Sequence, residues 1–207
     1  MFLAKCLLLI YFTTEIQSVN LDIELVMIKN EVVPELIETS PHLTMKILYP
    51  NGYYVKAGNI MRTIDVEEQP LVYWKTDPTK TDYYTIVMFS PDYPERSNPI
   101  MANFLHWMVV NIPGGRVEDG EVICDYLGAL PEPDKELHRY IFLVYKQKAK
   151  SNYGMEERIF GDDFSARERF SIKKFVNRYL LSPVAGNIFL AEFDENAASK
   201  GGTFIVE

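Results

Sequence analysis

The chain has 207 residues, of which 47% are hydrophobic, 24% charged and 13% aromatic. That length suits a single domain with a sizeable core, and the composition excludes extended disorder. The formal net charge of −8 repels phosphate backbones and anionic bilayers, so general nucleic-acid binding and broad membrane adhesion are excluded. A local pocket for one phosphate is still compatible with it.

Residues 1–18 have the pattern of a signal peptide. Lys5 supplies the positive end, Cys6-Leu7-Leu8-Leu9-Ile10-Tyr11-Phe12 the apolar run, and Ser18 a small residue before the cleavage point. The run is far short of the ~20 apolar residues that span a bilayer. No later stretch approaches that length, so no transmembrane segment is expected. Cleavage would leave residues 19–207 as one secreted, extracellular domain, with a C-terminal tail after residue 195. Only Cys124 would remain of the two cysteines, which rules out an intramolecular disulfide. Its alternating surroundings, Glu121 to Leu127, suit a small core residue rather than a reactive thiol.

A short helix is predicted over 22–30. The pattern then turns to strands. Leu43–Tyr49 alternates and meets the turn Pro50-Asn51-Gly52. Tyr83–Phe89 ends at Ser90-Pro91, Phe104–Ile112 ends at Pro113-Gly114-Gly115, and Leu137–Lys146 and Asn187–Phe193 follow. These runs are short and rich in Val, Ile, Tyr and Phe, which predicts a mainly β fold. One segment predicts a helix. Ser171 is its N-cap, and Ile172, Phe175, Val176, Tyr179 and Leu180 form one apolar stripe that Ser182-Pro183 should stop. The Lys146–Lys150 run reads as a solvated loop.

Two of the three histidines lie at strand starts beside proline-rich loops. Ser90-Pro91-Asp92-Tyr93-Pro94 is stiffened by two prolines. His106, Met108 and Val110 should share one strand face, and His138 and Tyr140 another. Two imidazoles and a phenol converging at a sheet end would suit an oxyanion. Periodicity alone leaves the competing reading open, that each histidine is a satisfied core residue. Arg139, on the face opposite His138, suits a buried ion pair, with Asp125 as the expected partner.

The blocks Ser90–Pro94, His106–Asn111, Asp125–Gly128, Leu137–Tyr145 and Pro183–Gly186 occur in an order and spacing that resemble the phosphatidylethanolamine-binding protein family over residues 22–195. The resemblance implies a β fold of two packed sheets with a few peripheral helices. It also implies a small pocket at one end for phosphate or a phosphoethanolamine-type headgroup. Its pocket positions fall on His106, His138 and Tyr140, with Asp92 and Pro94 from the Asp-Pro-Asp-x-Pro motif and Pro131 on the wall. This chain departs from the pattern at Ser90, which replaces the first acid, at Phe104-Leu105, which replaces a Trp-His pair, and at Leu130-Pro131-Glu132, which replaces Gly-Pro-Pro. No aromatic counterpart closes the pocket after Phe193. A missing carboxylate removes an acceptor for an ethanolamine ammonium and a repulsion toward phosphate, and Ser90 adds a hydroxyl.

The expected function is a secreted, monomeric, non-enzymatic binder of a small anion or phospholipid headgroup, without cofactor or metal. Some relatives act on kinases or proteases, so an inhibitor or regulatory partner working through its surface, with a vestigial pocket, is the alternative. A hydrolase is disfavoured. Ser90 lacks a Gly-x-Ser-x-Gly elbow, and Pro91 has no N–H to offer an oxyanion. Two histidines without a His-x-x-x-His pair make a poor zinc site.

Overall fold

The computed structural model of the chain describes residues 22–131, 136–161 and 163–193; the leader, Glu132 and the segment after residue 195 lie outside them. Helix α1, Ile23–Lys29, starts where the Asp22 carboxylate accepts a bond from the Glu24 amide at 3.1 Å, and it buries Ile23 and Met27. The strands are β1 (Leu43–Thr44), β2 (Lys46–Leu48), β3 (Ile60–Arg62), β4 (Leu71–Tyr73), β5 (Tyr83–Ser90), β6 (Phe104–Pro113), β7 (Glu121–Cys124), β8 (His138–Lys146) and β9 (Ser182–Glu192). Helices α2 (Phe164–Arg167) and α3 (Ile172–Tyr179) fall between β8 and β9.

The main sheet has seven strands. β9, β8, β5, β6 and β7 lie in that order, and both β1 and β3 run parallel to β9 along its outer edge. β2 and β4 form a separate antiparallel pair. The single strand expected over Leu43–Tyr49 is therefore two strands in two sheets. Met45 is the crossing point. Its amide donates to the Gly186 carbonyl at 2.9 Å and its carbonyl accepts from Asn187 Nδ2 at 2.7 Å, before the chain swings away to β2. β3 and β4 are three residues each, too short for alternation to show.

The Ser171 cap is as expected, accepting from the Lys174 amide at 3.3 Å. The helix stops earlier than Pro183, at Leu180, whose φ of 51° is left-handed and lets its N–H reach the Val176 and Asn177 carbonyls. Pro183 instead opens β9, a strand position where a missing N–H is tolerated.

The two faces of the large sheet bury different cores. Ile141, Leu143 and Tyr145 of β8 pack with Met27, Ile172 and Phe175 under the helices. Tyr140, Phe142 and Val144 pack with Ile47, Trp74 and Phe189 on the side of the small sheet. At one end, Gln147 closes a buried polar knot. Its Oε1 accepts from Thr85 Oγ1 at 3.0 Å and from the Asn111 amide at 2.8 Å, and its Nε2 donates to Asn111 Oδ1 at 2.9 Å. Asn111 has a left-handed φ of 54° where β6 bulges against β5. Gln147→Leu strands several of these groups without water, so a loss of about 2–3 kcal/mol is expected in urea unfolding.

Candidate functional site

The carboxyl end of β5 and the amino ends of β6 and β8 meet at one end of the large sheet. Ser90 pairs with Phe104, and Phe89 pairs with both Leu105 and Ile141. This brings Ser90, Asp92, His106, His138 and Tyr140 together, each at most 1% exposed. Pro131 is buried beside them, and Pro94 stands half-buried in the loop after a cis Tyr93–Pro94 bond.

His106 is aimed by an irregularity. Between β5 and β6 the register steps from Met88↔Trp107 to Phe89↔Leu105, so His106 is the extra residue of a bulge. A bulge reverses the side-chain alternation beyond it. His106 consequently does not share a face with Met108 and Val110, which lie in the helix-side core. Its ring meets Tyr140 edge-on at 5.0 Å on the opposite face, and Tyr140 stacks on Phe189 at 5.0 Å. Strict alternation missed this, because the sequence carries no mark of the bulge. Strand β8 is regular there, and His138 and Tyr140 share a face as expected.

The polar atoms divide into occupied and free. His106 Nδ1 lies 3.0 Å from the Leu127 carbonyl, which can only accept, so Nδ1 carries the proton and Nε2 is the lone-pair nitrogen. Leu127 is held in turn by its own amide on the His106 carbonyl at 2.8 Å. Gly128 beside it packs so close that an added Cβ would stand 2.8 Å from the Val66 carbonyl oxygen. Burial pulls the His106 imidazole down to about 3; the Leu127 bond opposes this and the Arg167 charge adds to it. Tyr140 Oη accepts from the Leu130 amide at 2.9 Å, which leaves its own proton to donate, and burial raises its pKa. Both ring nitrogens of His138 are buried with no hydrogen-bond partner among the described residues. Burial lowers that imidazole's pKa as well, against the pull of Asp92. Ser90 Oγ accepts from the Asp92 amide at 3.3 Å.

Asp92 is fully engaged elsewhere. Its Oδ2 accepts from the Arg139 amide at 2.8 Å and from Nε at 2.9 Å, and its Oδ1 accepts from Nη2 at 2.6 Å. The buried ion pair expected of Arg139 exists, but its partner is Asp92 and not Asp125. Asp92 follows β5, the neighbour of β8, whereas Asp125 follows β7, two strands farther out. The Asp125 carboxylate instead accepts from the Gly161 amide at 3.1 Å. Arg139 Nη1 reaches on to the Asn30 carbonyl at 2.7 Å, and Glu31 binds Arg96 of the same loop. The turn after α1 is thereby clamped to the loop that frames the site.

Two supporting residues were not singled out in the sequence. Arg167 is completely buried. Its Nη1 donates to the Leu105, His106 and Asp125 carbonyls at 3.1–3.2 Å and touches Cys124 Sγ at 3.0 Å. Its charged neighbours Glu168 and Arg169 give no sign in the sequence of a buried guanidinium. Phe189 supplies the stacking surface for Tyr140 and looked like any other strand aromatic. Cys124 is the inert core residue expected, its thiol pushed up to about 12 by burial. Among the described residues, no group of three or more His, Cys, Asp or Glu side chains is arranged to hold a metal.

What the arrangement offers chemically is a neutral imidazole without partners, a phenol with a free proton, a serine hydroxyl and a second imidazole presenting a lone pair. A family model described as phosphatidylethanolamine-binding protein matches residues 50–189. The "Putative odorant-binding protein A5" of Drosophila melanogaster is 36% identical over 171 residues, covering 82% of this chain and 80% of that protein. The "26 kDa secreted antigen" of Toxocara canis is 32% identical over 166 residues, covering 80% of this chain and 62% of that protein. A solved carboxypeptidase Y inhibitor, in complex with its cognate proteinase, superposes with a TM-score of 0.69 at 20% identity, over 86% of this chain and 99% of that one. At that identity the superposition speaks for the fold alone. On the family match and the Drosophila relative, this chain belongs to the phosphatidylethanolamine-binding protein family.

Proposed function

We propose that the protein is an extracellular, non-enzymatic binder of small phosphate-bearing anions, free or as phospholipid headgroups. The observation that carries this reading is His138. A buried imidazole with two unpartnered nitrogens is costly, and an anionic oxygen beside the Tyr140 O–H would satisfy it. His106 Nε2 suits the same ligand, since it accepts the proton of a phosphate monoanion or takes one up as the anion arrives. With Asp92 neutralised by Arg139 and Ser90 in place of an acid, the negative charge nearest the rings does not oppose phosphate, and Glu136 and Glu95 act on His138 less strongly than Asp92 does. The same features remove the nearest acid that could accept an ethanolamine ammonium, and leave Glu136 and Glu95, whose charges also reach His138, as the remaining carboxylates by the site. Phosphate and phosphocholine should therefore bind about as well as phosphoethanolamine. Catalysis has no support here, as Pro91 provides no oxyanion donor. The leader pattern at residues 1–18 and the secreted and odorant-binding names of the relatives favour export.

The five central residues are closed off from solvent, so a ligand enters only as their cover shifts. That closure favours the second reading, a regulator that works through its surface on a partner such as a protease; the solved relative is an inhibitor complexed with its cognate proteinase. The deciding experiment is an NMR titration with phosphate, phosphoethanolamine and phosphocholine, following the His106 and His138 ring signals. Saturable shifts of both rings, lost in His138→Ala, are expected. Flat rings in a folded protein would sink the pocket and favour the surface.

A further inference from the structure

The pocket residues are closed from solvent, so a covering segment has to move before a ligand reaches them. The segment between β5 and β6 lies against them. At its start, Asp92 is fixed by Arg139. At its end, Asn103 turns left-handed with φ 62°, and its carbonyl accepts from the Phe170 amide at 3.1 Å. Between these anchors the segment folds back on itself, the Met101 amide donating to the Tyr93 carbonyl at 3.2 Å. Two of its side chains reach the pocket. The Tyr93 ring lies 4.7 Å from that of Phe104, which lies 5.0 Å from His106, and the phenol acts electrostatically on Tyr140. The Glu95 charge acts on His138.

The outer part of this cover is fastened in the open. Arg96 Nη2 donates to Glu31 Oε2 on the turn after α1, and the two side chains are 36% and 62% exposed. The Asp92–Arg139 pair beneath is buried. A buried pair is costly to break, whereas an exposed one opens readily and is weakened by salt. Glu31 also has a second cation within reach, since the same Oε2 stands 3.7 Å from Arg139 Nη1. When Arg96 lets go, the carboxylate keeps an ionic partner by moving onto Arg139, which lowers the cost of opening. The two pairs therefore act differently: Asp92–Arg139 fixes the root of the segment, and Glu31–Arg96 fastens its outer part.

We propose that residues 93–102 form a lid over the anion pocket and that the Glu31–Arg96 pair is its latch, released each time a ligand enters or leaves. The ligand it admits is the small anion proposed above, on which reading this role rests, but opening has a readout that needs no ligand. Diethyl pyrocarbonate acylates neutral imidazoles that solvent reaches, and the exposed His42 serves as internal reference. Arg96→Gln should speed labelling of His138 relative to His42 about threefold, the scale set by an exposed ion pair. Glu31→Gln should do the same, and the double variant should be no faster than either, because both act through one bond. Raising sodium chloride from about 20 to about 500 mM should speed His138 labelling in the unaltered protein and not in Arg96→Gln. A lid exposes little surface as it opens, so His138 labelling should hardly change with urea below the unfolding transition. The functional arm uses inorganic phosphate. A latch governs access and not affinity, so in Arg96→Gln the on- and off-rates read from the His138 ring signal should rise by the same factor, with Kd unchanged. A Kd weakened through the off-rate alone would make Arg96 a ligand contact and overturn the latch. So would equal His138 labelling in all variants, or labelling that climbs steeply with urea as global unfolding does. Faster labelling in variants whose rings ignore phosphate would retire the anion reading and leave the lid standing.

Discussion

Arg139→Met is expected to destabilise the protein by about 3–5 kcal/mol, the usual result of removing one member of a buried ion pair. The variant leaves the Asp92 carboxylate, 1% exposed, with its Ser90-side turn intact but no cation and no guanidinium donors. Asp92→Ala should cost a similar amount, because the guanidinium keeps only the Asn30 and Glu31 carbonyls and the distant Glu31 carboxylate at 3.7 Å. Asp92→Leu combined with Arg139→Met should lose less than either single change, since no uncompensated charge remains. Urea unfolding with an unchanged m-value reads all three. For m near 2 kcal/mol/M the single variants should drop the midpoint by roughly 2 M. A loss under 1 kcal/mol in both singles would mean that the pair is hydrated and does not frame the site. The packing gives a second readout. Arg139 ties the turn after α1 to the loop that carries Asp92, so the His138 ring signal should move in either single variant even without ligand.

That ion pair also illustrates what was legible in the sequence. Arg139 announced itself by its place on an alternating strand, one residue out of phase with His138 and Tyr140. Its partner did not, because pairing depends on strand order, and the separation of 47 positions between Asp92 and Arg139 gives no hint that β7 lies on the far side of β6. The long strands were legible because alternation and turn chemistry agree along Tyr83–Ser90 and His138–Lys146. β3 and β4 were not, since three residues carry no period. The crossover at Met45 stayed hidden for a similar reason: one residue changes sheet while the apolar pattern runs on. The convergence of His106, His138 and Tyr140 was an expectation drawn from the family resemblance. The bulge at His106, which makes the convergence with Tyr140 possible, is a feature of register and leaves no trace in residue type.

Stability should fall steeply with acid between pH 6.5 and 3, and His106 should account for much of the fall. Its imidazole is near 3 in the folded protein because burial outweighs the Leu127 bond, whereas an unfolded histidine titrates near the ordinary 6.5. Between those values the unfolded chain binds a proton that the folded chain refuses, so unfolding stability rises with pH. Its contribution is complete above pH 6.5 and is lost progressively on acidification toward 3. One such group gives a slope of about 1.4 kcal/mol per pH unit inside the window, on the order of 5 kcal/mol in all. His138 is shifted in the same direction by its own burial and adds to the slope. Carboxylates titrate in the lower half of the window, so the comparison that isolates the imidazole is with His106→Gln. Glutamine keeps a donor for the Leu127 carbonyl but binds no proton, and its unfolding free energy should depend less on pH by about one unit of slope. Parallel curves for the two proteins would mean that His106 protonates freely in the fold. Saturating phosphate supplies the functional arm of the same measurement. An anion against the rings favours the imidazolium, so the folded protein would accept the proton and the acid slope should flatten. Affinity for phosphate should accordingly rise as pH falls from 7.5 toward 5. A slope indifferent to phosphate, alongside rings that respond to it, would mean that the anion binds to neutral imidazoles and relies on the Tyr140 and His138 protons alone.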